Sequence, residues 1–282
     1  MKGSTLELDA LLASRQAIIA FIFTITLANG DVLRLTSAPD FDVQWGGHTF
    51  NRQYVIAAGD VSSSVGVDVD ETEVTIYVRP DDRIYGLTLP AFTHNRGFDF
   101  AHILIQRAFM ETPGYPVGVV HYFEGQLSEP APSSTLIAIK ASSDMILLNQ
   151  MVPRNTITPT CSNVLFDGLC NVARSAFTHT GTAQAGSTKT GVFSGLGQAD
   201  GYFTQGTFLF TSGDNAGAKR TVKRHASGLI VPACPFYYPV AVGDAFKAVA
   251  GCNRLRTTCK DTFDNEDNIR IFEKVPTPVT SA

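Results

Sequence analysis

Four of the five cysteines fall in two close pairs, Cys161-x8-Cys170 and Cys252-x6-Cys259, with 81 residues between them. Each pair is short enough for one local loop to present both sulfurs. If all four thiols meet, residues 171–251 must form a module whose two ends lie together. Strands that start and finish at one edge of a small β unit satisfy that demand. The fifth cysteine, Cys234, falls inside this module.

A thiolate is a soft ligand, and four of them suit Zn²⁺ or an iron–sulfur cluster. Arg254, Arg256 and Lys260 crowd the second pair and Arg174 follows the first. Such positive charge is expected to lower the thiol pKa and offset a four-thiolate site. The spacings are wider than those of zinc ribbons and ferredoxins, so the residues alone leave three readings open. They are a shared metal centre, unlinked thiols buried as small hydrophobes, and two disulfides. Disulfides seldom persist in a reducing cytosol, where this chain is expected to fold. Its longest apolar stretch, Ala17 to Leu27, is too short to span a bilayer. Residues 6–15 carry Glu7 and Asp9 and lack the basic start of a signal peptide.

The rest of the chain reads as mainly β. The turn Asn29-Gly30 lies between Ala17–Leu27 and Asp31–Thr36 and marks a hairpin. Glu73–Val78 alternates, with Val74, Ile76 and Val78 on one face, and fits a half-buried strand. His102–Phe109, Val117–Gly125 and Leu136–Ala141 continue the pattern, with Ser128–Ser134 as a break between strands. Leu8, Leu11 and Leu12 have helical spacing, and helix is otherwise scarce. Pro153, Arg154-Asn155-Thr156 and Pro159 interrupt the pattern. They predict two β-rich domains, residues 1–150 and 151–282, the second with a β insertion at about 175–250. Within it, strands are expected at Gly201–Thr211, Ala218–His225 and Leu229–Val231, with a turn at Ser212–Asn215. The net charge is −4 and no Lys/Arg block stands out, which predicts neither a nucleic-acid groove nor an anionic-membrane surface.

The second half resembles a family of phage tail-tip hub proteins that includes the tail-tip L protein of phage lambda and the hub protein of gene transfer agents. The resemblance lies in Asp200-Gly201-Tyr202-Phe203, in Thr211-Ser212-Gly213-Asp214-Asn215-Ala216-Gly217 and in Val242-Gly243-Asp244-Ala245-Phe246. It continues through Gly251-Cys252-Asn253 and Thr258-Cys259-Lys260 to Phe263, Asn265, Asn268 and Arg270. It covers about Met145 onward. Over the first half it is one of order and general pattern. It implies a β-rich hub domain followed by a domain holding a [4Fe–4S] cluster on Cys161, Cys170, Cys252 and Cys259. It further implies a structural, non-enzymatic virion protein, assembled in the host cytoplasm, that closes the distal tail tube at the tail tip. Its implied partners are other copies of itself (a trimer), the distal tail protein, a central tip or fibre protein and the tape measure protein. The ending Ile269-Arg270-Ile271-Phe272 departs from the family's aromatic-Arg-Gly-Phe-Pro, which puts a C-terminal contact surface in doubt. The β insertion is like that of the gene-transfer-agent type. The alternatives carried beside this reading are a zinc-stapled structural module and a tail-associated cell-wall hydrolase.

Other candidate residues have plainer readings. His48, His94, His102, His121, His179 and His225 show no metal-ligand grouping in sequence. Asp68, Asp70 and Glu71 lack the glycine and terminal Glu of a calcium loop and read as a solvated β edge. Gly195-x-Gly197-x-x-x-Gly201 is not a dinucleotide fingerprint. Asp261, Asp264, Glu266 and Asp267 form an acidic run that either pairs with Arg254 and Arg256 or faces solvent, the second reading being preferred. Cys234 reads as a buried or half-buried spectator, and no peptidase motif joins it to His225 as a nucleophile and base.

Overall fold

The computed structural model describes residues 6–62, 69–148, 157–272 and 274. Pro153, Arg154-Asn155-Thr156 and Asp68 lie outside them. The chain is mainly β and divides into two compact units, Met1–Gln150 and Met151–Ala282. No helix among the described residues is long and apolar enough to cross a membrane.

The first unit opens with helix α1 (Leu6–Ser14), whose Leu8 and Leu11 pack beside Phe109. Strands β1 (Ile18–Thr26) and β2 (Val32–Thr36) form the hairpin, and Gly30 supplies the positive φ of its turn. Next come the small hairpin β3 (Val43–Trp45) and β4 (His48–Phe50), then β5 (Val55–Ala58) and β6 (Glu71–Tyr77). A two-residue pair, β7 (Arg83–Ile84) and β8 (Leu87–Thr88), leads into the short helix α2 (Leu89–His94). Strands β9 (His102–Thr112), β10 (Tyr115–Pro132) and β11 (Leu136–Ser142) complete the unit. They build a seven-stranded antiparallel sheet in the order β2-β1-β9-β10-β11-β6-β5. One face holds Phe23, Ile25, Ile103, Ile105, Ile137 and Ile139 against Leu89 and Phe92 of α2. The other face, with Ile22, Ala108 and Met110, is covered by Val43 and Phe50 of the small hairpin.

One expectation needs correction here. Ser128–Ser134 is not simply a break: β10 runs through Pro132 past a bulge between Ser128 and Ala131, where Glu129 has φ 48. Bulging lets Pro130 sit where no ladder N–H is needed. Helix α2 carries no long apolar periodicity; it begins because the Thr88 hydroxyl accepts from the Ala91 N–H and Pro90 occupies its first turn.

In the second unit, β12 (Thr178–Thr182), β13 (Val192–Phe193), β14 (Thr207–Phe210), β15 (Lys219–Ala226), β16 (Leu229–Pro232) and β17 (Ala245–Val249) form one antiparallel sheet. The order is β12-β17-β14-β15-β16-β13. Its first and last strands in sequence are paired, with Thr178 opposite Val249 and Thr182 opposite Ala245. The core is aromatic: Phe208 stacks on Phe246 at 4.6 Å and Phe210 meets Phe236 edge-on at 4.8 Å. The expected strand at Gly201–Thr211 is shorter, because residues 201–206 form turns that carry Tyr202 and Phe203 inward before β14 begins. Helix α3 (Arg256–Phe263) follows the sheet.

His225 lies inside this core, 2% exposed, with its ring 4.9 Å from that of Phe203. Neither ring nitrogen has a hydrogen-bond partner of good geometry. Burial pushes its pKa below 6.5, and the nearby Asp200 carboxylate and Ala199 backbone offset only part of that. The unfolded chain therefore binds the proton more readily, so stability is full above a pH of about 6.5 and is lost as the pH falls toward the folded pKa. The melting temperature of the second unit should drop between about pH 7 and about pH 5, and it should drop less in His225→Leu. An equal drop in both proteins would remove His225 as the cause.

Candidate metal centre

The pairing of β12 with β17 fixes the geometry of the cysteine region. The ladder continues one step beyond the strands, where the Ala250 N–H donates to the Phe177 carbonyl at 3.0 Å. Residues 177 and 250 are therefore neighbours, and the chain runs outward from them toward Cys170 on one side and Cys252 on the other. Immediately before Cys252, Gly251 donates its N–H to the Tyr202 carbonyl at 3.0 Å. A Cβ at Gly251 would stand 1.8 Å from the Thr204 carbonyl oxygen, so only glycine allows this crossing.

Each cysteine is then held by its own contacts. The Cys161 N–H donates to the Arg254 carbonyl at 2.9 Å, which ties the first pair to the second, and the Cys161 sulfur accepts from the Arg270 N–H at 3.5 Å. Asp167 organises the loop before Cys170: its carboxylate accepts from the N–H groups of Val164, Leu169 and Cys170, the last at 2.6 Å. These bonds, chiefly that from Cys170, hold the Asp167 pKa below the usual carboxylate value. The Asn265 side-chain amide donates to the Cys170 carbonyl at 2.6 Å, and Asn268 in turn donates to the Asn265 side-chain oxygen at 2.6 Å. Cys252 Sγ accepts from the Arg254 N–H at 3.3 Å. Cys259, in the middle of α3, directs its sulfur to the Asn265 carbonyl at 3.2 Å. Phe166, Phe177 and Phe263 pack together beneath, with the last two 4.8 Å apart.

Cys161, Cys170, Cys252 and Cys259 all line one cavity of about 260 Å³, together with Asn163, Arg254, Asn265 and Asn268 among others. All four are free thiols, so neither disulfide of the third reading is formed. Phe166, Asn171, Arg254 and Asp264 adopt positive φ around it (69, 57, 64 and 46°). Non-glycine residues in that region carry backbone strain, and such residues cluster at ligand sites. Among the described residues, no group of three or more His, Cys, Asp or Glu gathers as the donor set of one metal ion. Of the side chains in this unit, the four thiols are the ones that could hold a soft metal centre.

The electrostatics differ from expectation. Burial pushes the Cys259 thiol up to about 11, and the other three thiols and Glu266 add to the rise. Cys252 is raised as well, first by burial and then by Cys161 and Cys170, although the Arg254 N–H works against it. Arg254 lowers Cys252 without offsetting its burial, and Arg256 and Lys260 are engaged elsewhere. Glu266 takes Arg256 at 2.9 Å and Lys260 at 3.8 Å, so this member of the acidic run is an ion-pair partner rather than a free solvent-facing charge. Of the expected four, only Arg254 lines the cavity.

Elsewhere, Cys234 is exposed rather than buried, while His225 lies inside the core, so the imagined nucleophile and base are not joined. The structure also gathers a group that sequence spacing missed. His102 Nε2 lies 3.8 Å from both Glu124 and Asp144, and His121 Nε2 lies 3.5 Å from Glu124. A bulge between His121 and Phe123 brings His121 and Glu124 to one side, and no sequence period signals a bulge.

The comparisons with known proteins agree with this architecture. Residues 5–173 match the family described as baseplate hub protein, N-terminal attachment domain. Residues 201–278 match a second family, phage conserved hypothetical protein BR0599. No curated protein matches the chain. Among solved structures, a chain of the virion of the native gene transfer agent (GTA) particle superposes with a TM-score of 0.69 at 22% identity, covering 99% of this chain and 97% of that one. At that identity the likeness establishes the fold. The two family matches define a phage-type structural component of the virion tail. More particularly, the chain belongs to the baseplate hub protein family, whose N-terminal attachment domain spans more than half of it.

Because the Gly251 crossing is backbone against backbone, Gly251→Ala should destabilise the second unit by about 1–3 kcal/mol or more. Gly197→Ala, where a Cβ meets only open space, should stay within about 0.5 kcal/mol of the parent. Urea unfolding followed by second-unit tyrosine and phenylalanine exchange peaks measures both, and equal midpoints would show that the crossing is not tight.

Proposed function

We propose that this baseplate hub subunit closes the distal end of the tail tube and links it to central tip or fibre proteins, with its second unit fastened by a [4Fe–4S] cluster on Cys161, Cys170, Cys252 and Cys259. The observation that carries the reading is that both thiol pairs line a single cavity at the neck of the inserted β module. The distal tail protein, the tape measure protein and further copies of the chain, as a trimer, are the proposed neighbours.

The donor chemistry fits such a group. Four thiols face the cavity with no histidine or carboxylate among its lining residues. Burial and the neighbouring thiols raise Cys252 and Cys259 although Arg254 lines the same cavity, and a cationic metal core removes that resistance to ionisation. One tetrahedral ion would need sulfurs about 3.8 Å apart, given a metal–sulfur bond of about 2.3 Å. The preference for the cluster over one zinc rests on the resemblance to the tail-tip hub family. When bound, the cluster supplies four metal–thiolate links. The protein's part is to hold Cys170 through Asp167 and Asn265, and Cys161 through the Arg254 carbonyl. Structural metal sites couple on the order of 10 kcal/mol to folding, enough to decide whether a small unit is folded. No step in this role requires catalysis, and the family is one of structural virion proteins.

Anaerobic purification should yield coloured protein with about four irons and four sulfides per chain. Serine at any of the four paired positions should abolish both colour and tail assembly, while Cys234→Ser leaves them intact. Colourless protein with one zinc would replace the cluster with a zinc staple. Cleavage of cell wall by the purified protein would replace the structural role with a hydrolase.

A further inference from the structure

The cations of the inserted module are scattered in sequence but gathered in the fold. Residues 171–251 hold seven Lys and Arg (Arg174, Lys189, Lys219, Arg220, Lys223, Arg224, Lys247) against three Asp (Asp200, Asp214, Asp244), a net of +4 within a chain of net −4. Alternation along β15 puts Arg220 and Val222 inside and leaves Lys219 and Lys223 exposed. On β17 the same alternation exposes Lys247 between buried Phe246 and Ala248.

Strand register then places these charges. Leu209 on β14 faces Lys219 on one side and Lys247 on the other. The two lysines are thus two strand spacings apart, about 10 Å. The turn at Arg174 closes a third side, anchored by the Thr178 hydroxyl, which donates to the Arg174 carbonyl at 2.8 Å. Arg174, Lys219 and Lys247 surround a depression of about 250 Å³ floored by Leu209 and Val249. Its lining contains no carboxylate, and the Thr207 hydroxyl faces it without a side-chain partner among the described residues. None of the three cations forms an ion pair among those residues.

Three cations held around a concave surface, in a protein with excess acid, create a local positive potential that an anion relieves. Arginine offers a planar fork of donors and lysine a mobile point charge, the combination that recognises a multiply charged tetrahedral oxyanion. We propose that this depression is a binding site for a phosphate-type oxyanion. The site is separate from the cysteine cavity, and its ligand is either a free phosphate or a phosphate carried on a polymer.

Isothermal titration of the full chain with inorganic phosphate at fixed ionic strength tests this. Saturable one-site binding is expected, weakened roughly tenfold by Lys247→Gln and by Arg174→Gln. Lys223→Gln, which removes a cation from the strand of Lys219 but outside the depression, should leave it unchanged. All three side chains are exposed, so the variants should retain the parent's melting temperature. Competition by a short single-stranded oligonucleotide distinguishes the sources. Displacement of phosphate that is lost in Lys247→Gln supports a polymer-borne phosphate, and phosphate binding without displacement supports a free anion. Absence of saturation, or equal weakening by Lys223→Gln and Lys247→Gln, would overturn the site in favour of diffuse surface charge.

Discussion

The ladder between β12 and β17 is the constraint on which the second unit depends. Five residue pairs, from Thr178 with Val249 to Thr182 with Ala245, bring together parts of the chain about seventy residues apart in sequence. Closing so long a loop has an entropic cost that grows slowly with length, so the aromatic core behind the ladder can offset it. Once Phe177 and Ala250 are joined, Cys170 and Cys252 have little freedom in where they go. The Gly251 crossing and the Asp167 loop remove most of what remains.

That closure also sets the chemistry. Thiols brought out of water beside one another are driven toward the protonated form, and Cys259 shows this most clearly. Glu266 sharpens the effect by binding Arg256 and Lys260, which would otherwise favour thiolate. The polar residues around the cavity are spent on the backbone: Asn265 on Cys170, Asn163 on the Asn268 carbonyl, Asp167 on three amides. The four sulfurs are left as the donors facing the space between them. In the proposed hub, the metal core supplies the charge that the protein withholds.

Much of this was legible in the residues. Alternation in Glu73–Val78 marked β6, and Asn29-Gly30 marked the first hairpin, because period two and a positive-φ turn are local properties. The demand that residues 171–251 begin and end together was also readable, as the condition for the two thiol pairs to meet. Motif residues of the second half proved to be packing pivots: Asn215 is buried and its side chain binds the backbone of Tyr238 and Pro239, and Gly213 lies against Asp244. Long-range partnership was not legible. That Glu266 would capture Arg256 and Lys260, that β10 would continue through a bulge, and that Cys234 would stand outside all depend on contacts between distant segments. The cationic depression escaped for the same reason, since its members come from four strands and a turn and form no run.

The paired termini of the inserted sheet have an evolutionary consequence. A segment that leaves and re-enters at one ladder is exchangeable, provided that the ladder ends at residues 177 and 250 and the turn at residues 202–205 keep their places against the cysteine loops. Lineages can therefore lengthen, shorten or resurface this cassette without re-registering the cysteine loops. Changes of length and of surface are thereby confined to one stretch of the polypeptide.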